Sequence, residues 1–164
     1  MRRPISEAER AEIAAARLPI SDRSGGAAFE AAIRKAELLI RSAEPDASPA
    51  DASTLVGLHA VFHRECYGSL PEDLRGKAFF AALASAKAMV AREFGEETGL
   101  ADAASYLAWA WQREIARERR RRAEQDEAGG RRLSWQLVFG RGGHVLGDWR
   151  AALERRRGAR RAEA

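Results

Sequence analysis

The chain has 164 residues, of which 46% are apolar and 32% charged, and it carries a net charge of +4. This length suits about one domain and can bury a continuous core, so the composition excludes a disordered or fibrous chain. The single cysteine, Cys66, excludes an internal disulfide, and no apolar run approaches the ~20 residues that span a bilayer. We therefore expect a cytoplasmic protein without a membrane partner.

Positive charge is concentrated in the last third of the chain. Residues 113–164 contain 15 Arg and 8 acidic residues, whereas residues 1–112 contain 13 basic and 16 acidic residues. A GC-rich genome can explain the preference for Arg over Lys, but it does not explain why the charge accumulates at one end. The sequence thus predicts a helical core over 1–112 and a basic Arg- and Trp-rich extension of the same domain over 113–164.

The first two predicted helices lie in the amino-terminal quarter. A capping-box pattern of Ser6 and Glu9 predicts a helix over about 7–17. A second helix begins near Gly26, because apolar residues recur there every three or four positions: Phe29, Ile33, Ala36 and Ile40. Two prolines then predict a loop over 43–52.

Two further helices fill the stretch up to residue 95. The third, over about 52–67, can be capped by Asp51 or Ser53, and its inward residues are Leu55, Leu58, Val61, Phe62 and Cys66. A one-turn helix begins at Pro71. The fourth helix, over 76–94, ends at Gly95, and its inward residues are Phe79, Leu83, Ala86, Val90 and Phe94.

The longest predicted helix runs from about 100 to 125. Its inward stripe is Leu100, Ala103, Leu107, Trp111 and Ile115, and the Arg-rich turns beyond it are expected to face solvent or a partner. Trp109 lies about 200° from Trp111 around a helix, so it falls on the flank. We expect the C-terminal segment to cover Trp109 through Trp135 or Phe139; the alternative is that Trp109 is exposed for a partner.

The pattern after residue 131 fits two structures. Alternating apolar residues suit a small β-hairpin over about 132–146, whereas the spacing of Trp135 and Phe139 suits a short helix. We prefer the short helix because the surrounding segments are helical. A last helix then starts at Gly147 or Asp148 and continues through the basic tail. The predicted fold is all-α: a single-domain bundle of five or six helices with a basic C-terminal arm.

The residues with metal-ligand or nucleophile chemistry are few. His59, His63 and Cys66 share one helical face and could approach a zinc ion with His144, but the chain lacks a second cysteine. The Gly-Arg-Gly-Gly sequence at 140–143 lacks the Lys and hydroxyl residues of a nucleotide-binding loop. We therefore predict core or rim packing for His59, His63 and Cys66 and a plain turn at 140–143, with no metal, no cofactor, no catalytic residue and no enzymatic activity.

Two Arg runs, at 117–122 and 155–161, carry the functional prediction. Pairs with Glu114 and Glu118 neutralise two of the six Arg between 113 and 122, and the remainder favour a polyanion. The predicted phosphate contacts are Arg117, Arg120, Arg121, Arg155, Arg156 and Arg157.

The sequence thus predicts a non-enzymatic nucleic-acid-binding accessory protein that contacts the backbone of DNA or RNA. We expect it to belong to a larger nucleoprotein assembly of the phage or mobile-element type. The alternative is a structural or scaffold subunit, in a virion, a multiprotein complex or a homo-oligomer, whose Arg runs meet acidic protein partners.

Overall fold

The computed structural model of the chain describes Ser6, Ala8 and residues 26–42, 48–125, 131–140 and 144–164. These residues form six α-helices: α1 (Gly26–Arg41), α2 (Ala52–Tyr67), α3 (Lys77–Met89), α4 (Gly99–Ala123), α5 (Trp135–Phe139) and α6 (Val145–Glu163). The described part of the chain contains no strand, so the predicted all-α fold is confirmed. Apart from Ala8, the helix predicted over 7–17 lies outside the described residues.

The chain divides into two compact units, Met1–Ser105 and Tyr106–Ala164. The division falls within α4, earlier than the compositional shift at residue 112. The second unit therefore contains both Arg runs and all four Trp residues of the chain.

The first unit is built around the contact between α1 and α2. Gly57 faces α1 so closely that a Cβ atom at this position would overlap the carbonyl group of Ala32. Phe29 of α1 also meets Phe79 of α3, with ring centroids 6.2 Å apart. The three helices therefore share one apolar core.

The start of α2 is fixed by Asp51, as predicted. Its carboxylate accepts hydrogen bonds from the Thr54 backbone N–H at 3.0 Å, from Ser53 Oγ at 2.6 Å and from Lys35 Nζ at 3.0 Å. Burial raises the pKa of Asp51, but the hydrogen bonds from Ser53, Lys35 and Thr54 outweigh it and lower the pKa to about 2. Lys35 thereby ties α1 to the cap of α2.

The predicted ends of the first-unit helices agree with the structure. Helix α2 ends at Gly68, whose φ of +80° suits a residue without a Cβ atom. A 3₁₀ turn, Glu72–Leu74, follows Pro71, and α3 continues into a π-helical turn, Val90–Phe94, before Gly95.

The predicted burial is correct for some positions and wrong for others. Leu55, Leu58, Cys66, Phe79 and Ala86 are buried, but Ile40 is 49% exposed. Ile40 lies in the last turn of α1, after Ala36, the last residue of that helix to be buried. Several other predicted core residues are only half-buried: Val61, Phe62, Leu83, Val90, Phe94, Leu100 and Ile115.

The second unit is an aromatic cluster formed by α4, α5 and α6. The Tyr106 hydroxyl donates a hydrogen bond to the Val138 carbonyl at 2.7 Å, and its ring lies 5.4 Å from that of Trp149. Trp135 and Phe139 stack with ring centroids 4.3 Å apart. Burial, and then the charge of Asp148, raise the pKa of the Tyr106 hydroxyl, which is therefore neutral.

The hairpin interpretation of the segment at 132–146 is wrong for residues 135–139, which form α5. Ser134 caps this helix by accepting a hydrogen bond from the Leu137 N–H at 3.3 Å. Strand alternation would have buried Leu137, whereas helical spacing buries Trp135, Val138 and Phe139 together. Helix α6 begins at Val145, slightly before the predicted start.

Candidate nucleic-acid interface

The basic residues of the second unit lie on the last turns of α4 and along α6. Two buried acids organise the first of these groups, because Glu114 and Glu118 are only 8% and 7% exposed. They continue the face of α4 that buries Leu107 and Trp111, since positions 107, 111, 114 and 118 repeat at helical spacing. The inward stripe was predicted to stop at Ile115, but the buried face of α4 continues to Glu118 and carries acidic side chains there.

Arg117 and Arg121 neutralise these two carboxylates. Arg117 donates from Nη2 and Nε to the two oxygens of Glu114, at 2.6 and 2.9 Å. Arg121 makes the same two-pronged contact with Glu118, and Arg122 Nε lies 3.5 Å from it. The hydrogen bond from Arg121 lowers the pKa of Glu118 against the effect of burial. Two of the six predicted phosphate contacts thus already hold ion pairs with buried acids.

Other arginines are exposed and form no ion pair within the described residues. On α4 these are Arg119 and Arg120, and on α6 they are Arg155, Arg156, Arg160 and Arg161. Arg157 contacts Glu154 at 3.1 Å, but both side chains are about two-thirds exposed, at 68% and 71%. Water screens such a pair strongly, so it does little to remove the charge of Arg157.

The structure therefore sorts the predicted contact residues into two groups. Arg120, Arg155, Arg156 and Arg157 are exposed, whereas Arg117 and Arg121 are engaged with buried acids. Sequence reasoning did not select Arg119, Arg160 or Arg161. The sequence nevertheless indicates that Arg119 is exposed. It lies five residues after Glu114 and one residue after Glu118, and neither spacing allows an ion pair along a helix.

The carboxyl-terminal half of α6 has no apolar support. Every residue from Glu154 to Ala164 is exposed, although the helix continues to Glu163. Five Arg lie on this stretch, and at 100° per residue they surround the helix axis. This part of α6 offers guanidinium groups in all directions.

An open groove of about 340 Å³ lies between α4 and α6 within the second unit. It is lined by Trp109, Arg113, Asp148, Ala151, Ala152 and Arg155. The Arg113 guanidinium lies over the Trp109 ring, 4.6 Å from its centroid, and 3.5 Å from Asp148 Oδ2. Trp109 is half-buried here, while Trp111 is fully buried.

The C-terminal segment reaches Trp109 through α6, and neither Trp135 nor Phe139 lines the groove in front of it, so cover of Trp109 by those two rings stays a prediction. Those two rings stack on each other, and Phe139 also meets Tyr106 at 6.1 Å. Helix α6, rather than α5, forms the opposite wall of the groove in front of Trp109.

The residues considered for zinc are placed in the core or at its edge. His59 is fully buried, and burial, assisted by the nearby His63, lowers its pKa to about 3. His63 Nδ1 donates to the Ser69 carbonyl at 2.6 Å, and Cys66 is buried. Within the described ranges, no group of three or more His, Cys, Asp or Glu could hold a metal ion.

None of the helices in the described ranges has the length and apolar character needed to cross a membrane. Comparison with known protein families, with curated proteins and with solved structures found no match.

Proposed function

We propose that this chain is a non-enzymatic, cytoplasmic nucleic-acid-binding accessory protein that works within a larger nucleoprotein assembly. The observation that carries the proposal is the set of exposed arginines on α4 and α6 that form no ion pair within the described residues: Arg119, Arg120, Arg155, Arg156, Arg160 and Arg161. Arg157 joins them because its pair with Glu154 is solvent-screened.

Phosphate oxygens are the chemistry that these arginines suit best. A guanidinium group presents a planar fork of donors that matches two phosphate oxygens, and it keeps its charge at every physiological pH. Glu114 and Glu118, the buried acids of α4, are already neutralised by Arg117 and Arg121. The exposed arginines therefore attract an external polyanion with little local competition.

The contacts are expected to go to the backbone rather than to base edges. The described exposed arginines surround the end of α6 instead of forming one face that could enter a groove in a fixed register. Such contacts give affinity and steep salt dependence but little sequence preference.

The salt dependence of binding tests this proposal. Nuclease-treated protein is titrated by fluorescence polarisation against labelled DNA and RNA over a series of salt concentrations, with heparin as competitor. Each neutralised phosphate of a duplex contributes about 0.9 to the slope of log affinity against log salt, so four to six contacts give roughly −4 to −5. A flat response would exclude a phosphate-based interaction.

A matched pair of variants locates the contacts. Changing Arg155, Arg156 and Arg160 together to Gln should reduce the slope by up to about 2.7, because three phosphate contacts are lost. The control changes Arg34, Arg41 and Arg75 of the first unit to Gln, which removes the same charge from exposed positions. Equal weakening by both triples would mean that net charge, rather than α6, drives binding.

A structural or scaffold subunit is the second candidate function. Its support is Phe80, which is 41% exposed on α3 of the first unit and would suit a protein contact. If nuclease-treated protein binds neither DNA nor RNA but self-associates, and Phe80→Ala abolishes the association in light scattering, this second function is favoured.

A further inference from the structure

The groove between α4 and α6 combines an aromatic surface with cationic edges. The half-buried indole of Trp109 forms part of its wall, and Arg113 and Arg155 contribute guanidinium groups. Ala151 and Ala152 line the opposite wall with single methyl groups, which keeps the groove open. Its volume of about 340 Å³ lies in the range of small-ligand sites, ~300–1,000 Å³.

The charges in the groove suit a nucleotide better than an apolar ligand. Arg113 already covers one face of the Trp109 ring, so the two planar groups form a stack that a base can extend. Arg155 is exposed and forms no ion pair in the described part of the chain. Arg120 lies on the same face of α4 as Trp109 and Arg113, because positions 109, 113 and 120 repeat at helical spacing.

Asp148 is the one acidic residue that lines the groove, and its negative charge repels a phosphate placed next to it. Its Oδ2 lies 3.5 Å from Arg113, and both side chains are about half exposed, at 49% and 55%. A carboxylate in this place can accept a hydrogen bond from the amino or imino group of a base. The base end of a nucleotide therefore belongs beside Asp148 and Trp109, and its phosphate beside Arg155.

We infer that this groove holds one unpaired nucleotide of a single-stranded nucleic acid, with its base stacked on Trp109 and Arg113. The inference rests on the proposed function and adds the class of nucleic acid. A base within a duplex is stacked between its neighbours and cannot reach a side chain recessed in a groove, whereas phosphates of either form can reach the exposed arginines. The chain should therefore prefer single strands to duplexes of the same length.

Variants of Trp109 test this preference in the full-length chain. Loss of one stacked base lowers affinity by about 5- to 100-fold, so Trp109→Leu should lower the affinity for a single-stranded 20-mer by that factor. A 20-base-pair duplex should lose less than twofold. Trp109→Phe keeps a flat ring and should retain most of the single-strand affinity. Phe80→Leu, which removes an exposed aromatic ring from the first unit, is the matched control and should change neither affinity.

Ala151→Leu provides a test that leaves Trp109 in place. Ala151 is exposed and helical, and Leu has a similar helix propensity, so the variant should fold normally. The larger side chain should block the groove and weaken binding of the single strand selectively. Far-UV circular dichroism melting curves of both variants establish that they are folded.

Intrinsic fluorescence gives an independent readout. A single strand should quench the emission of the wild type, and Trp109→Phe should remove most of that quenching while binding persists. Trp111 and Trp135 are buried, and the half-buried Trp149 packs against the ring of Tyr106. The mononucleotides at millimolar concentration should compete weakly with the single strand, and heparin should not reproduce the quenching.

The outcomes separate this inference from the proposed function. If Trp109→Leu and Ala151→Leu weaken single strand and duplex equally, or weaken neither, while the steep salt dependence remains, the groove does not hold a base and the proposed function stands. If the wild type shows no salt-dependent binding of any nucleic acid, the proposed function fails and the inference fails with it.

Discussion

Helix α4 carries two pairs of arginines that allow equal charge changes with different expected effects: Arg117 and Arg121 are paired with buried acids, and Arg119 and Arg120 are exposed. Changing Arg117 and Arg121 to Gln deprives Glu114 and Glu118, which are 8% and 7% exposed, of their two-pronged partners. Changing Arg119 and Arg120 to Gln removes the same charge from exposed side chains without ion pairs in the described chain. The first variant should lose stability, and the second should lose affinity for nucleic acid.

The magnitudes follow from the exposure of each pair. Removing one partner of a fully buried pair costs about 3–5 kcal/mol. Here the arginine ends remain accessible, with side chains 38% and 26% exposed, so water partly compensates the carboxylates. We expect about 1 kcal/mol for each pair, hence a loss of about 2 kcal/mol in the free energy of unfolding. The Arg119 and Arg120 variant should change this free energy by less than about 0.5 kcal/mol.

Urea unfolding followed by far-UV circular dichroism measures the stabilities, and fluorescence polarisation at several salt concentrations measures the affinities. A compensating change, Glu118→Gln in the Arg121→Gln background, should recover part of the lost stability because it removes the uncompensated charge. If the Arg119 and Arg120 variant is the destabilised one, or if the two variants lose affinity equally, the division of the α4 arginines into a structural and a binding set is incorrect.

Three further predictions concern the cores of the two units. Trp111 is fully buried, so Trp111→Ala should lower the free energy of unfolding by about 3–5 kcal/mol, and a loss below 1 kcal/mol in urea unfolding would contradict this packing. Gly57→Ala should cost at least about 2 kcal/mol, because the added Cβ overlaps the Ala32 carbonyl; Gly158→Ala, where the Cβ meets open space, is the control and should be neutral or stabilising. The pKa of His59 is about 3 in the folded state against the usual 6.5. Between these two pH values the unfolded chain binds a proton at His59 that the folded chain does not bind. The free energy of unfolding is therefore unaffected by His59 above pH 6.5 and declines as the pH falls below it. Unfolding at pH 5 should require about 2 kcal/mol less than at pH 8, and His59→Leu should show a smaller difference; an equal difference in both proteins would refute a buried neutral imidazole.

Much of the fold was predictable because the helix boundaries are encoded locally. Gly68 and Gly95 end their helices with φ near +80°, and Asp51 caps α2 through its own carboxylate. These signals act over one or two turns, so they do not depend on which helices pack together. Periodicity also predicted the general inward faces.

Depth of burial was less predictable, because it depends on which neighbour covers each position. Ile40 fits the apolar stripe of α1 but lies in its last turn, beyond the last buried residue of that helix. Residues 132–139 were ambiguous for a related reason. Their pattern suited both periods, and the contact of Tyr106 with the Val138 carbonyl, across 32 residues of sequence, accompanies the helical form.

The candidate interface shows why counts of charge alone misplace the binding residues. Arg117 and Arg121 belong to the same Arg run as Arg119 and Arg120, yet of these four only Arg117 and Arg121 lie one turn after a buried acid. An Arg that lies three residues after a buried acid forms an ion pair with it. Arg119 and Arg120, between these positions, remain exposed. The helix therefore carries two arginine populations, and the basic character available to a partner is set by the positions of Glu114 and Glu118.

The end of α6 differs from α4 in what stabilises the helix. Helix α4 is anchored by Trp111 and by its two ion-paired acids, whereas residues 154–163 of α6 are helical without a buried side chain. An unsupported helix of about ten residues is marginal in water, and its five Arg repel one another. A polyanion relieves that repulsion, so binding and helix formation at the end of α6 should reinforce each other. Salt should therefore act on both: high salt screens the repulsion that opposes the helix, yet it also weakens the phosphate contacts.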